Sequence, residues 1–177
     1  MTQPERSGPR DPAGKIVGWE EAARIVEEST RAGRTAVLTN GCFDLLHAGH
    51  VMYLSQARAL GDTLLVGLNS DASVRALKGE PRPIVPERDR ALMLAGLECV
   101  DAVVVFEEVT ALALIEALKP QVYVKGGDYS KETINQDERR LVESYGGRIH
   151  ILGLLPGAST TDLFERVRMC CEAERQG

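Results

Sequence analysis

Five short apolar runs, Thr35–Thr39, Thr63–Asn69, Ala102–Phe106, Val122–Lys125 and Arg148–Leu152, alternate along this chain with stretches of helical periodicity. Runs that are apolar along most of their length, rather than at every second residue, suit strands covered by helices on both faces. The helical stretches lie at roughly 47–60, 86–97, 110–118 and 134–145. An earlier helix opens on the stripe Trp19, Ala22, Ala23, Val26 and stops at Gly33; a last one runs from about Ser159 into the 170s. Ala111, Leu114, Ile115 and Leu118 form one apolar face, and Pro120 closes it. Strands separated by helices of these lengths predict right-handed crossovers and an α/β fold with a central, mainly parallel five-stranded sheet flanked by helices.

The 177 residues suit one domain. A chain of this length buries enough surface to need no disulfide or metal staple. Residues 1–14 carry three prolines, two glycines and mixed charge and read as a flexible leader, which leaves 15–177 as the domain. A net charge of −5 argues against a nucleic-acid partner, since phosphate binding needs a basic face. No apolar run approaches a membrane span, and the polar first residues hold no signal-peptide core. The expectation is a cytoplasmic protein with no membrane partner, its four cysteines reduced. Cys170 and Cys171 fall on a stripe with Leu163 and Val167, which predicts packing rather than redox work. His150 sits within a strand and reads as structural.

Ligands of open α/β sheets bind beyond the carboxyl ends of the strands, which directs attention to the residues just after each strand. After the first comes Gly41-Cys42-Phe43-Asp44-Leu45-Leu46-His47-Ala48-Gly49-His50, with two of the three histidines of the chain. Three residues apart at a helix start, His47 and His50 share one helical face, and Gly49 lets a ligand approach the backbone. The free N–H groups and positive dipole end of such a helix favour an anion such as phosphate. Two bland alternatives exist: a helix start capped by Asp44 with incidental histidines, and a zinc site, for which no further ligands stand at suitable spacing.

The decapeptide resembles the G-x-F-D-x-x-H-x-G-H signature of the cytidylyltransferase-like nucleotidyltransferases, with Gly41, Phe43, Asp44, His47, Gly49 and His50 at its specified positions. The resemblance implies a Rossmann-like nucleotidyltransferase domain that passes a nucleotidyl group from a nucleoside triphosphate to a phosphorylated acceptor. The hydroxyl cluster Ser159-Thr160-Thr161 before the last helix is similar to a second family element and suits a triphosphate. Lys125-Gly126-Gly127-Asp128-Tyr129, taken alone, is a common turn. Within the superfamily it is similar to the adenylyltransferase domains of ADP-heptose synthases. So are the stretch from Asn69 and Asp71 to Gly79, then Arg82-Pro83-Ile84, and Arg88-Asp89-Arg90. The likeness runs from about Thr35 to Val167.

What the resemblance implies is in-line attack by a sugar 1-phosphate, D-glycero-β-D-manno-heptose 1-phosphate above all, on the α-phosphorus of ATP. His47, His50 and Lys78 are the implied catalytic groups. Gly41, Phe43, Asp44, Gly49, Lys125, Gly126, Asp128, Ser159, Thr160 and Thr161 are implied for the nucleotide, and Asn69, Asp71 and Arg88 for the acceptor. Mg²⁺ would bridge the triphosphate with Asp44 as a candidate ligand. Lys78, Arg82, Arg88 and Arg90, four cations within 78–90 of an acidic chain, suggest an anion clamp. Leu154-Leu155-Pro156-Gly157 stands where some relatives place an arginine, which speaks against a glycerol- or choline-phosphate acceptor. The ribokinase-like half of two-domain heptose enzymes has no counterpart in these residues, so a separate kinase is expected upstream. A homodimer is the implied assembly. The alternatives are a CTP-dependent enzyme acting on an alcohol phosphate, and a non-catalytic nucleotide-binding module.

Overall fold

A computed structural model describes residues 11–127, 130, 132–153 and 160–176, without the side chains of 161, 162 and 173–176. Five strands form one sheet: β1 (Ala36–Gly41), β2 (Thr63–Asn69), β3 (Ala102–Phe106), β4 (Val122–Gly126) and β5 (Arg148–Leu152). Their order is β3-β2-β1-β4-β5, and every pairing is parallel. The expected α/β sheet is present, and it is parallel throughout the described strands.

Successive strand residues face opposite sides, so the sheet sustains two cores. Val37, Leu64, Val66, Leu68, Val103 and Val124 pack with Tyr53, Leu54 and Leu94 from α2 (Ala48–Arg58) and α4 (Glu87–Ala95). On the other face Leu38, Leu65, Val104 and Tyr123 meet α1 (Trp19–Arg31), α5 (Leu112–Leu118) and α6 (Gln136–Ser144) through Val26, Leu114, Ile115 and Val142. Helix α1 stops where the sequence predicts, with Gly33 at φ +69°, a conformation glycine takes without steric cost.

Three features depart from the sequence reading. A helix, α3 (Asp71–Lys78), succeeds β2 directly, capped by Ser70 Oγ accepting from the Ser73 N–H. Residues 12–15, placed largely in the leader by composition, form a short 3₁₀ turn; Lys15 Nζ then donates to the carbonyls of Leu97 and Val100. The last helix, α7 (Thr160–Gln176), holds Leu163 and Phe164 half-buried, but from 165 to 172 its side chains are exposed. Cys170 and Cys171 are therefore free thiols facing solvent rather than packed side chains.

The strand order steps outward from β1 to β3, then returns to place β4 on the other side of β1. This reversal opens a crevice between the carboxyl ends of β1 and β4, where loops leave in opposite directions. Asn40 and Gly41 end one strand, and Lys125 and Gly126 the other.

Candidate active site

Above that crevice lies a cavity of about 810 Å³, lined by Asn40, Gly41, Phe43, Asp44, His50, Asn69, Lys78, Arg82, Lys125, Gly126, Glu138 and Thr160 among others. A smaller recess of about 250 Å³ continues it along α2, past His47, Gly49, His50 and Tyr53. Most residues singled out in the sequence converge here.

His47 takes the N-cap position of α2 with extended backbone, and His50 lies in the first turn. Their rings stack, with centroids 3.8 Å apart and planes at 25°. Phe43 packs its edge on His50, with centroids 5.2 Å apart, and takes φ +44°, a strained value for a side chain of its size. Burial, then the nearby His47, lower the His50 pKa to about 4, against a smaller opposing effect of the Leu45 carbonyl. His50 is thus a neutral imidazole at pH 7, a hydrogen-bond donor rather than a charge. The thiol of Cys42 is pushed up by burial, with Lys78 and Arg90 pulling the other way, which removes it as a nucleophile at neutral pH.

Asp44 does not cap the helix. Its Oδ1 accepts the N–H groups of Ile84 and Val85 at 2.8 and 3.0 Å, and its Oδ2 lies 2.8 Å from Arg82 Nη1. The carboxylate therefore fastens the loop after α3 to the signature loop, and to meet a metal it would have to release those partners. Among the described residues no group of three His, Cys, Asp or Glu stands ready for a metal ion.

Of the four-cation clamp, Lys78 and Arg82 line the cavity, whereas Arg88 is exposed and lies outside it. Arg90 is fully buried and serves as an internal tie. It donates to the carbonyls of Val85, Cys42 and Asn69 and to Asp71 Oδ1. Asp71, expected at the acceptor, pairs with Arg90 through Oδ1 and is partly exposed. Asn69 lines the cavity, but its Nδ2 is held by Ser73 Oγ at 2.6 Å.

Lys125 also has prior partners. Its Nζ donates to Asn40 Oδ1 at 3.0 Å and pairs with Glu138 Oε2 at 2.9 Å. The Tyr123 hydroxyl lies 2.7 Å from Asn40 Oδ1 and 3.0 Å from Glu138 Oε2, its single hydrogen shared between them, and Glu138 Oε1 accepts from the Ala111 N–H. Asn40, Tyr123 and Glu138 were absent from the sequence reading. The one local signal was Asn135 three residues before Glu138, the spacing of a capping box. Asn135 does cap α6, but Glu138 turns inward to the network. Gly126 is required for a close approach: a Cβ there would stand 2.6 Å from Cε2 of Tyr53. Thr160 opens α7 at the cavity wall. Asp128, Ser159 and the segment 154–157 lie outside the described residues, as does the side chain of Thr161. His150 is half-buried on β5 and lines a separate concavity.

The cytidylyltransferase-like family model matches residues 38–166, which is most of the chain and the whole of this site. The chain belongs to the cytidylyltransferase-like family. This member of the family is a nucleotidyltransferase. It is 55% identical over 157 residues to the bifunctional protein HldE of Pelobacter propionicus, covering 89% of this chain and 32% of that protein. The chain thus spans about a third of the length of the curated relatives it matches. A lipopolysaccharide core biosynthesis protein of Thermoplasma volcanium is similar in structure, with TM-score 0.56, 27% identity, and coverage of 70% of this chain and 98% of the other. A pantoate–β-alanine ligase of Francisella tularensis shares the fold at TM-score 0.56 and 14% identity, over 84% of this chain and 74% of that one. No helix among the described residues is long and apolar enough to cross a membrane.

Proposed function

We propose that this nucleotidyltransferase moves an adenylyl group from ATP to a sugar 1-phosphate, D-glycero-β-D-manno-heptose 1-phosphate being the best candidate, in the cytoplasm where ATP is plentiful. The observation that carries the reading is the stacked pair His47 and His50 at the start of α2, opening into a cavity walled by Lys78, Arg82 and Lys125. The Lys125–Tyr129 motif, the relatedness to HldE and the likeness to a lipopolysaccharide core biosynthesis protein favour a sugar acceptor and, with it, ATP.

An oxygen of the acceptor phosphate attacks the α-phosphorus of ATP, the bond to the β-phosphate oxygen breaks, and pyrophosphate departs. The attacking oxygen is already anionic at neutral pH, so no strong base is needed. The protein contributes position and compensation of charge. Neutral His50, with His47, donates hydrogen bonds to the α-phosphoryl oxygens, while Lys78 and Arg82 offset the charge around them. Lys125, already paired with Glu138, orients rather than neutralises. Thr160 and the start of α7 face the far phosphates. Mg²⁺ arrives with ATP as part of the substrate. A kinase activity must furnish the sugar 1-phosphate.

Pyrophosphate release measured with ATP, CTP, GTP and UTP against the heptose phosphate, with product masses, tests the reading. ATP-dependent release with an ADP-sugar mass supports it. CTP-only release would transfer the site to a cytidylyltransferase, and tight ATP binding with no release from any acceptor would reduce it to a nucleotide-binding module. His47→Asn and His50→Asn should each lower kcat by about 10²–10³ with the fold intact.

A further inference from the structure

Asn40 lies at the end of β1 with its side chain on the same side of the sheet as Leu38, opposite α2 and its histidines. Its Oδ1 lies 3.0 Å from Lys125 Nζ and 2.7 Å from the Tyr123 hydroxyl. An ammonium has only donors to offer, so the atom it meets is the amide oxygen, and that settles which way the carboxamide is turned. Nδ2, with its two hydrogens, is left on the other side of the carboxamide carbon, on a half-buried residue that lines both the cavity and the recess. Among the described residues no group accepts from it. The charge beside it is compensated, since Lys125 is paired with Glu138 at 2.9 Å. The cavity residues contributed by β2, the β3–α5 loop and the start of α6 include Asn69, Val109, Thr110 and Asn135, all uncharged. A neutral donor fixed in such surroundings matches an uncharged oxygen, a sugar hydroxyl, rather than a phosphate.

We propose that Asn40 is a specificity-determining residue whose Nδ2 donates to a hydroxyl oxygen of the acceptor sugar, with Lys125 holding the carboxamide in that sense. The inference deepens the reading above and rests on it: with the histidine pair at the α-phosphoryl group and Thr160 facing the far phosphates, the cavity beyond Asn40 is what remains for the acceptor. Both ends of the amide are then satisfied, Oδ1 by Lys125 and Nδ2 by the hydroxyl. Because the carboxamide is turned beforehand, little side-chain freedom is lost when the sugar arrives. An acceptor without a hydroxyl in reach leaves Nδ2 unpaired in the filled site, the circumstance in which a polar site rejects an analogue most strongly. The contact is remote from the bond being formed, so it holds substrate and transition state alike and belongs in KM rather than kcat.

Initial rates with ATP and the heptose 1-phosphate, together with titration calorimetry of the heptose 1-phosphate alone, test this on wild type, Asn40→Ala, Asn40→Ser and Tyr123→Phe. Asn40→Ala should raise the acceptor KM and Kd about three- to tenfold, the scale of one neutral hydrogen bond, with kcat and the ATP KM within about twofold of wild type. Asn40→Ser, whose side chain is too short to reach the place of Nδ2, should do the same and decides the matter if the alanine variant does not fold. Tyr123→Phe removes one contact to Oδ1 but keeps Nδ2 and the tie to Lys125. It should lower the urea midpoint yet raise the acceptor KM less than either Asn40 variant does. Unchanged acceptor affinity in both Asn40 variants would overturn the proposal. So would a rise confined to the ATP KM, which would give the amide to the nucleotide, or an acceptor effect of Tyr123→Phe as large as that of Asn40→Ala, which would make Asn40 a strut of the network alone. A wild-type protein that does not bind the heptose 1-phosphate would overturn it too. Asn40-dependent binding of the sugar phosphate without pyrophosphate release from any nucleotide would defeat the proposed reaction and leave this assignment standing.

Discussion

Arg90 Nη2 stands 2.7 Å from Asp71 Oδ1, with the arginine wholly inaccessible to solvent. The same guanidinium takes carbonyl oxygens from the signature loop at Cys42, the end of β2 at Asn69 and the loop before α4 at Val85. Arg90→Leu would leave the Asp71 carboxylate and three carbonyls without their donor, at a cost of about 3–5 kcal/mol. Urea denaturation should show that loss in the midpoint, while the exposed Arg88→Leu stays within about 0.5 kcal/mol of wild type. Equal stability of the two variants would show that Arg90 is not the tie described.

Glu138 is 3% exposed and serves the Ala111 N–H, the Tyr123 hydroxyl and Lys125 Nζ. Glu138→Leu strips all three at once, so a destabilisation of about 3–5 kcal/mol is expected. Glu138→Gln retains one acceptor oxygen and should lose less. A leucine variant as stable as wild type in denaturant titration would mean the network contributes nothing net.

At Gly126 an added methyl would meet the Tyr53 ring at 2.6 Å from Cε2 and 2.9 Å from Cζ. The ring cannot easily yield, since its hydroxyl is engaged with Thr39 Oγ1 and the Val124 carbonyl. Gly126→Ala should cost about 1–3 kcal/mol by overpacking. The cost should shrink in a Tyr53→Leu background, which removes the obstructing atoms; strictly additive losses in that double-mutant cycle would contradict the clash.

The depressed pKa of His50 carries a stability consequence with a definite sign. The group titrates near 4 when folded and near 6.5 when unfolded, so between those values the unfolded chain binds more protons. The stability tied to its neutral form is complete above about pH 6.5, is lost as pH falls towards 4, and changes no further below that. Its size is on the order of 3 kcal/mol. Comparing denaturant midpoints of wild type and His50→Gln across this range isolates the contribution. The variant should lose less stability on acidification, and parallel curves would rule the shift out.

The sheet was legible because β1 to β4 are largely buried and so read as apolar runs, while the half-buried edge strand β5 still carries Ile149, Ile151 and Leu152; the limits read from sequence fall within two residues of the observed ones. Helix α3 was not, since its eight residues bury only Ser73 and Val74, too few to mark a period. His50 and Thr160 meet at the cavity, with His47 in the adjoining recess, because they stand at helix starts, which local sequence does encode; Lys78 reaches the same wall from the end of α3. Partner choice is different. Asp44 meets an arginine and two amides some forty residues on, and Lys125 on β4 meets an acid on α6. Nothing near Arg88 and Arg90 tells which arginine is interior, because only the packing of α4 against the loops assigns them. Such long-range pairing also gives Asp71, expected at the acceptor, an internal partner in the buried Arg90.

Before α1 the chain runs beside β3, with Ile16 bridged to Val103 and Lys15 fastened to carbonyls that precede the strand. It therefore enters the domain at the amino ends of the strands, a sheet's length from the cavity mouth. A small label on the turn of residues 12–15 would therefore sit beyond the amino ends of the strands, with the sheet between it and the cavity mouth.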